Sequence, residues 1–268
     1  MTPVLSVHEL SKRFGSGKQQ ALAVSEVSFD LPAGGSLGIV GESGSGKSTT
    51  ARMIIGLERP TSGTIRFRGE DRTAPARRTK DLRRRGREIQ IVFQDPYTSL
   101  DRRQRIVDCL AEVVRIHAGS DTREVRRRVD ELAALVGLDD RQLGALPSRL
   151  SGGQRQRVAI ARALAAEPEV LILDEAVSAL DVSIQAQILN LLADIRAQRG
   201  ISYLFISHDL AVVRQITDDT IVMRHGTVVE QGPTAQVLDQ PVHPYTRLLR
   251  DSVPTPGWDP MSTSGPRS

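Results

Sequence analysis

The chain has 268 residues, of which 39% are hydrophobic and 25% charged, and Lys and Arg together exceed Asp and Glu by four; these values are typical of a globular protein with one large or two small domains. Aromatic residues make up 3% of the chain, which argues against a base-stacking nucleic-acid platform, and the single cysteine, Cys109, excludes an internal disulfide or a site of several thiolates. No apolar run approaches about 18 residues and the N-terminus lacks the apolar core of a signal peptide, so we expect a cytoplasmic protein that reaches a membrane only through a partner.

Short segments of alternating apolar and polar residues begin the chain. VLSVHELSKRF and ALAVSEVSFDL predict two half-exposed antiparallel strands joined by a loop. SLGIV, residues 36–40, predicts a buried strand, and the residues after Lys47 suit a helix. PTSGTIRFRGE predicts a turn and another exposed strand. The basic run RRTKDLRRRGR, residues 77–87, predicts a solvated helix and loop, with contact to anionic headgroups or nucleic acid as the alternative.

Helical and strand-like patterns alternate through the rest of the chain. EIQIVFQDP predicts a strand that ends at Gln94, and the period is then helical from residue 100 to about 149. Within that segment, Asp121 followed by Glu124 is a helix-capping pattern. The apolar residues that then share one helix face are Val125, Val129, Leu132 and Val136.

Three further apolar segments, EVLILDE, SYLFISHD and DTIVMRHGTVVEQG, predict strands separated by helices. Strands that alternate with helices indicate a mainly parallel sheet with both faces covered. The last residues, 254–268, are rich in Pro, Gly and Ser and are predicted to form a disordered tail.

The segment GESGSGKS, residues 41–48, has the spacing of a phosphate-binding loop, with a predicted strand before it and a helix after it. Backbone N–H groups of such a loop surround the phosphates, Lys47 neutralises the β and γ oxygens, and Ser48 offers its hydroxyl to Mg²⁺. The residues predicted to bind nucleotide here are Gly41, Ser43, Gly44, Gly46, Lys47, Ser48 and Thr49.

Two acidic residues follow the apolar run VLIL and form the segment VLILDE. We expect this strand to lie beside the phosphate-loop strand, with Asp174 at its carboxyl end holding Mg²⁺ largely through water. Glu175 is predicted to polarise an attacking water as general base. His208 follows another apolar strand, expected near the phosphate-loop strand, and is predicted to reach the γ-phosphate. Gln94 is placed likewise near the metal and the attacking water.

The stretch RLSGGQRQRVAIARAL has two glycines ahead of a basic helix, which is a second place where backbone could approach a phosphate. Together with the phosphate loop, VFQ, LILDE, SALD and SHD, it makes an ordered set of motifs that resembles the ATP-binding cassette (ABC) family. The resemblance runs from about residue 4 to 240. It implies an α/β fold with a P-loop NTPase (RecA-like) core, an N-terminal antiparallel β-subdomain and an inserted α-helical subdomain at about 96–156, all within an ATPase domain of residues 1–253.

The resemblance also implies roles for individual residues. In the family, the signature motif of one subunit closes over ATP held by a second one, so Ser151, Gly152, Gly153 and Gln154 are expected to contact the ATP of a partner cassette. Phe14 corresponds to the family's aromatic residue that stacks on adenine, and Gln94 to the glutamine that contacts Mg²⁺ and senses the membrane partner. Asp181 corresponds to the aspartate that communicates across the dimer, and His208 to the residue that the family calls the switch histidine. Lys47, Ser48, Asp174 and Glu175 keep the roles given above.

A finer resemblance rests on FQDPYTSL, DEAVSALDVSIQAQILNLL, FISHDLAVVR and HPYTRLL, which are similar to the cassettes of oligopeptide, dipeptide and nickel importers. The chain departs from them at Arg102, where proline is usual. The resemblance implies an ATPase at the cytoplasmic face of the membrane that works with two transmembrane permease subunits, an extracytoplasmic binding protein and a second cassette, either identical or, as favoured, a sister chain. It implies no nucleic-acid partner. The alternative is a non-transport cassette, such as a subunit of a phosphonate-cleaving complex.

Overall fold

The computed structural model describes residues 3–15, 20–95, 99–119 and 121–252. The predicted tail and the start of the predicted helical insertion, at residue 96, lie outside these ranges. In chain order the described elements are β1 (Pro3–Phe14), β2 (Ala21–Pro32), β3 (Ser36–Val40), α1 (Lys47–Ile54), β4 (Ser62–Phe67), β5 (Glu70–Asp71), α2 (Thr79–Glu88), β6 (Ile89–Val92), α3 (Ile106–Ala118), α4 (Thr122–Val136), α5 (Asp140–Leu143), a 3-10 turn (Pro147–Arg149), α6 (Gly152–Leu164), β7 (Val170–Asp174), α7 (Val182–Arg199), β8 (Ser202–Ser207), α8 (Leu210–Ile216), β9 (Asp219–Arg224), β10 (Thr227–Pro233), α9 (Thr234–Asp239) and α10 (Pro244–Asp251).

The first sheet is antiparallel and has the strand order β2-β1-β4-β5. The alternating pattern of the N-terminal segments puts one face of β1 and β2 toward solvent and buries the other. Phe14 at the end of β1 lies opposite Ala21 at the start of β2, which confirms the predicted pairing of the first two strands.

The second sheet has the strand order β10-β9-β3-β8-β7-β6. β9, β3, β8, β7 and β6 run parallel, and β10 is an antiparallel edge strand. The expectation that the strand of Asp174 lies beside the phosphate-loop strand is wrong, because β8 pairs with both and separates them. The apolar runs of β3, β7 and β8 are all fully buried, so they predict burial on both faces but carry no information on strand order.

The two faces of the second sheet belong to different apolar clusters. Side chains alternate along each strand, so Leu171 and Phe205 belong to the cluster formed with the later helices, whereas Ile172 and Leu204 belong to the cluster formed with α1 and the antiparallel sheet. The second sheet is therefore the middle layer of the molecule. The carboxyl ends of its parallel strands, where β3 continues into the phosphate loop, form the edge at which the site is built.

The helical insertion follows the predicted pattern. The buried residues of α4 are Val125, Val129, Leu132, Ala133 and Val136, which confirms the predicted face. The predicted cap is only half formed: Asp121 accepts a hydrogen bond from the N–H of Arg123, but Glu124 pairs with Arg127 instead of the helix start. β6 ends at Val92, two residues earlier than predicted, because its pairing with β7 stops there.

The basic run forms α2, in which no residue is buried. It is held to its surroundings by ion pairs, which join Arg84 to Glu70 and Arg87 to Glu167. The predicted solvated helix is therefore confirmed. None of the helices in the described part of the chain is both long and apolar enough to cross a membrane.

Gly38 in β3 lets α8 pack closely against the sheet. A Cβ on Gly38 would lie 2.6 Å from Cγ1 of Val213 in α8, which is closer than side-chain atoms approach each other. The strand that leads into the phosphate loop is thus tightly packed at its middle residue.

We expect Gly38→Ala to lower the free energy of unfolding by about 1–3 kcal/mol, because the added methyl group overpacks this contact. Gly86→Ala is the matched control: Gly86 lies inside α2, where an added Cβ would have no atom within 4 Å, so alanine should raise stability by about 0.5–1 kcal/mol. Urea unfolding followed by circular dichroism measures both. Equal effects of the two variants would contradict the packing argument.

Candidate active site

The loop between β3 and α1 is shaped by close contacts with backbone of two other strands. Gly41 has φ +150°, and a Cβ there would lie 2.2 Å from the carbonyl oxygen of Met223 in β9. Gly46 has φ +104°, and a Cβ there would lie 2.6 Å from the carbonyl oxygen of Ala23 in β2. Both positions therefore require glycine because of the protein's own backbone, whereas Gly44, with φ +80°, has no atom within 4 Å of its Cβ position.

Lys47 begins α1 and is only 4% exposed. Its Nζ donates hydrogen bonds to the carbonyl oxygens of Gly41 (2.7 Å) and Glu42 (2.8 Å). Burial lowers the pKa of Lys47, and the carboxylates of Glu175, Asp174 and Glu42 oppose that shift. The N-terminus of α1 receives no side-chain cap, since its N-cap residue is glycine. Its first-turn N–H groups and the ammonium group thus form an anion-binding end.

Ser48 and Asp174 meet although their elements are far apart in sequence. The Ser48 hydroxyl donates to Oδ1 of Asp174 over 2.9 Å. Asp174 is buried at the end of β7, and burial raises the pKa of its carboxyl group. The contact is made by α1, which reaches β7 past the intervening β8, so the separation of the two strands does not keep these side chains apart.

Glu175 directly follows β7 in a left-handed conformation, with φ +50°, which is costly for a residue with a Cβ. Its N–H donates to the carbonyl oxygen of Ile206 in β8 (2.9 Å), which holds this backbone in place. Its Oε2 lies 3.4 Å from Nδ1 of His208, at the end of β8. The two predicted residues thus meet because β7 and β8 are neighbours.

Gln94 is linked to Glu175 through a residue that sequence reasoning missed. The Gln94 amide donates to Oγ of Ser178 over 3.4 Å, and the Ser178 hydroxyl donates to the carbonyl oxygen of Glu175 over 2.9 Å. Ser178 is the first residue of the SALD motif, of which sequence analysis assigned a role only to Asp181. It joins the segment after β6 to the segment after β7.

These groups surround a cleft of about 610 Å³, which is the size of a small-molecule site. Asp174 lies beneath it, bonded to Ser48. Among the described residues, the cleft lining does not include Phe14, Gly41, Asp181 or the signature residues 151–154. The lining residues are Ala23, Glu42, Ser43, Gly44, Gly46, Lys47, Ser48, Thr49, Gln94, Glu175 and His208.

Phe14 does not line the cleft. Its ring is 40% exposed and has the Nζ of Lys12 at 4.8 Å from its centroid. Its pairing partner, Ala21, is two residues before Ala23, which lines the cleft. The side chain is therefore a surface group and not part of the core.

Ser151 is the N-cap of α6, where its hydroxyl accepts from the N–H of Gln154 (3.3 Å) and its own N–H donates to the Gln154 side chain (2.9 Å). A Cβ on Gly153 would lie 2.5 Å from Cγ2 of Ile184 in α7, whereas one on Gly152 would have no contact below 3.6 Å. The glycine pair was expected to serve close approach to a phosphate. The structure gives Gly153 a further reason to be glycine, which is the close packing of α6 against α7.

The start of α7 lies next to the start of α6 through this contact. Asp181 is the N-cap of α7, and the hydrogen bond from the N–H of Ile184 is the main cause that lowers the pKa of its carboxyl group. Val182, the next residue, is 81% exposed. We use the term signature surface for the exposed residues Ser151, Asp181 and Val182 at these two helix starts.

Comparison with known proteins is consistent across sequence and structure. A family model described as "ABC transporter" matches residues 24–178, and one described as "Oligopeptide/dipeptide transporter, C-terminal region" matches residues 229–264. The chain is 44% identical to the oligopeptide transport ATP-binding protein OppF of Bacillus subtilis (strain 168) over 96% of this chain and 84% of the relative. It is 46% identical to the di/tripeptide transport ATP-binding protein DppF of Pseudomonas aeruginosa (strain UCBPP-PA14) over 94% and 78%, respectively.

Among solved structures, the chain is similar to a dimeric post-hydrolysis state of the ATP-binding cassette MJ0796 bound to ADP and Pi. The TM-score is 0.76 and the sequence identity 28%, with 86% of this chain and 98% of that chain covered. It is also similar to cbiO1 from Clostridium perfringens, part of the ABC transporter complex cbiONQ, with a TM-score of 0.79, an identity of 30% and coverage of 90% and 92%.

We expect Gly153→Ala to destabilise the protein by about 1–3 kcal/mol, because its methyl group would clash with Ile184, whereas Gly152→Ala should change stability little. Adding Ile184→Ala to Gly153→Ala should restore part of the loss, because the second change removes the clashing methyl group. Chemical unfolding of the single and double variants measures the coupling. Strictly additive effects of the two substitutions would show that this contact does not explain the glycine.

Proposed function

The chain belongs to the ABC transporter family, and we propose that it is the ATP-binding and hydrolysing subunit of a bacterial peptide importer. The observation that carries the proposal is the convergence of Lys47, the Ser48–Asp174 pair and the Glu175–His208 pair around one cleft at the start of α1. The names of the relatives, which transport oligopeptides or di- and tripeptides, and the matched C-terminal region support peptides as the solute. The alternative of a non-transport cassette has no comparable support.

We propose that the ATP phosphates lie against the N-terminus of α1. There the first-turn N–H groups and the Lys47 ammonium supply positive charge in a partly buried setting. We also propose that Phe14, which is exposed at the end of β1, stacks on adenine. Gly41 and Gly46 hold the loop backbone in the conformation that presents these groups.

The donor set beneath the cleft suits Mg²⁺. A hydroxyl oxygen of Ser48 and a carboxylate oxygen of Asp174 are adjacent, and we propose that the amide oxygen of Gln94, which lines the same cleft, is a third hard oxygen ligand. When bound, Mg²⁺ supplies charge that neutralises the phosphate oxygens. On this proposal the Ser48–Asp174 hydrogen bond holds the two ligands together in the absence of metal.

Glu175 is proposed as the group that orients the attacking water and accepts its proton. Its backbone donates a hydrogen bond to Ile206 and its carboxylate lies beside His208. His208 is proposed to contact the γ-phosphate from the neighbouring strand end. Gln94, which follows β6, is linked through Ser178 to the segment that contains Glu175. On this proposal the position of the attacking water therefore depends on the segment after β6.

The signature surface supports a second cassette as partner. Ser151 to Gln154 do not line the cleft of their own chain, and Val182 presents an apolar side chain to solvent. We propose that this surface closes over ATP held by another cassette, identical or a sister chain, so that two composite sites form. Two permease subunits and, indirectly, an extracytoplasmic binding protein complete the assembly at the cytoplasmic face of the membrane.

Substitution of two cleft residues should separate binding from hydrolysis. Glu175→Gln keeps the shape but removes the base, so ATP should bind normally while phosphate release falls roughly 10²–10⁴-fold. Lys47→Ala removes a charge-assisted contact, so ATP affinity itself should fall roughly 10- to 100-fold. Calorimetry and a phosphate-release assay on the purified chain measure both. Glu112→Gln, at an exposed position of α3, is the control and should change neither; near-normal turnover of Glu175→Gln would rule out the base assignment.

Ser151→Arg should separate the two halves of a composite site. The variant should bind ATP as a monomer like the wild-type chain but lose ATP-driven association and hydrolysis, because a bulky charge blocks the closely packed helix start. Mixing the Ser151→Arg chain with the Lys47→Ala chain restores one whole site. In that site the intact phosphate loop of the Ser151→Arg chain faces the intact signature motif of the Lys47→Ala chain. In the presence of ATP, analytical ultracentrifugation should show dimers in the mixture but not in a solution of either variant by itself. Loss of ATP binding by the Ser151→Arg monomer would mean that the motif acts within its own chain.

A further inference from the structure

The segment before α10 is fastened to the edge of the second sheet. The Glu230 carboxylate in β10 accepts hydrogen bonds from the N–H groups of Val242 (2.8 Å) and His243 (3.0 Å). Two backbone groups outside any helix or strand are thereby satisfied by one side chain. The position at which α10 starts is consequently set by β10.

The tripeptide His243-Pro244-Tyr245 then defines the first turn of α10. Nδ1 of His243, the N-cap residue, accepts from the N–H of Tyr245 over 3.1 Å. Pro244 occupies the first helical position, where it needs no N–H partner and its φ already suits a helix. The direction in which the Tyr245 side chain leaves the helix is therefore fixed.

Tyr245 reaches the phosphate loop. Its side chain is 3% exposed, and its hydroxyl oxygen accepts a hydrogen bond from the N–H of Glu42 over 3.1 Å. The guanidinium of Arg224 lies 4.8 Å from the ring centroid and covers the ring. The carbonyl oxygen of Glu42 also accepts a hydrogen bond from the Lys47 ammonium group, over 2.8 Å. One residue of the loop is thus held on one side by α10 and on the other by the lysine.

We propose that Tyr245 is a positioning residue for the phosphate loop, through which the C-terminal segment sets the affinity for ATP. This inference rests on the proposed function of the cleft. Without the Tyr245 hydroxyl, the Glu42 N–H loses the acceptor that ties it to α10, and the loop would sample conformations in which the Lys47 ammonium is misplaced. ATP binding would then have to re-order the loop, which lowers the apparent affinity.

A purely structural role for the buried ring is separable from a role for its hydroxyl. Tyr245→Phe keeps the ring and removes only the hydroxyl group, which is the acceptor for the Glu42 N–H. Tyr203→Phe is the matched control, because Tyr203 in β8 is equally buried and donates its hydroxyl to the carbonyl oxygen of Leu192 in α7 (2.8 Å), away from the phosphate loop. Both variants lose one hydrogen bond of a buried tyrosine, but only one of those bonds involves the loop.

The experiment measures ATP affinity by calorimetry and amide hydrogen exchange at Glu42 in the full chain without nucleotide. Tyr245→Phe should raise the dissociation constant for ATP about 3- to 10-fold, the equivalent of one lost hydrogen bond, and should speed exchange at Glu42. Tyr203→Phe should lower the melting temperature and leave both quantities unchanged.

Three results would overturn the inference. One is unchanged affinity and exchange in Tyr245→Phe. A second is an equal loss of affinity in both variants, which would indicate general destabilisation. The third is a wild-type chain that binds no ATP, which would remove the proposed function together with this inference; failure of the inference alone leaves the wild-type affinity and its dependence on Lys47 intact.

Discussion

The close approach of the phosphate loop to two other backbones is the constraint on which the rest of the site depends. Gly41 lies against the carbonyl oxygen of Met223 in β9, and Gly46 lies against that of Ala23 in β2. The loop therefore contacts a backbone carbonyl of each sheet, and no side chain larger than hydrogen fits at Gly41 or Gly46. Because these two contacts fix the start of α1, they also fix the positions of Lys47 and of the N–H groups in the first helical turn.

The central position of β8 organises the other half of the cleft. It separates β3 from β7, and its carbonyl group at Ile206 holds the strained backbone of Glu175. The same strand ends next to His208, which brings the carboxylate and the imidazole within 3.4 Å. The order of the strands thus determines which side chains meet. α1 spans the remaining distance to Asp174 through Ser48.

The signature segment and the start of α7 are joined by close packing. Gly153 allows α6 to contact Ile184, and this places Ser151, Asp181 and Val182 on a common exposed surface. The residue types that suggest a phosphate-binding helix start are therefore also those that join two helices. In the proposed composite site, this packing contact would make the starts of α6 and α7 move together when a second cassette docks.

The sequence by itself determined the phosphate loop, the buried strands, the face of α4 and the helical period after residue 100, because these depend on spacing between residues close together in the chain. Only the tertiary structure decided the strand order, the packing reason for Gly153 and the contact of Tyr245 with Glu42. Ser48 and Asp174 are 126 residues apart, and Glu42 and Tyr245 are 203 apart. Local pattern records which residues are buried or helical, but not which distant segments meet, because that depends on how the layers pack as a whole.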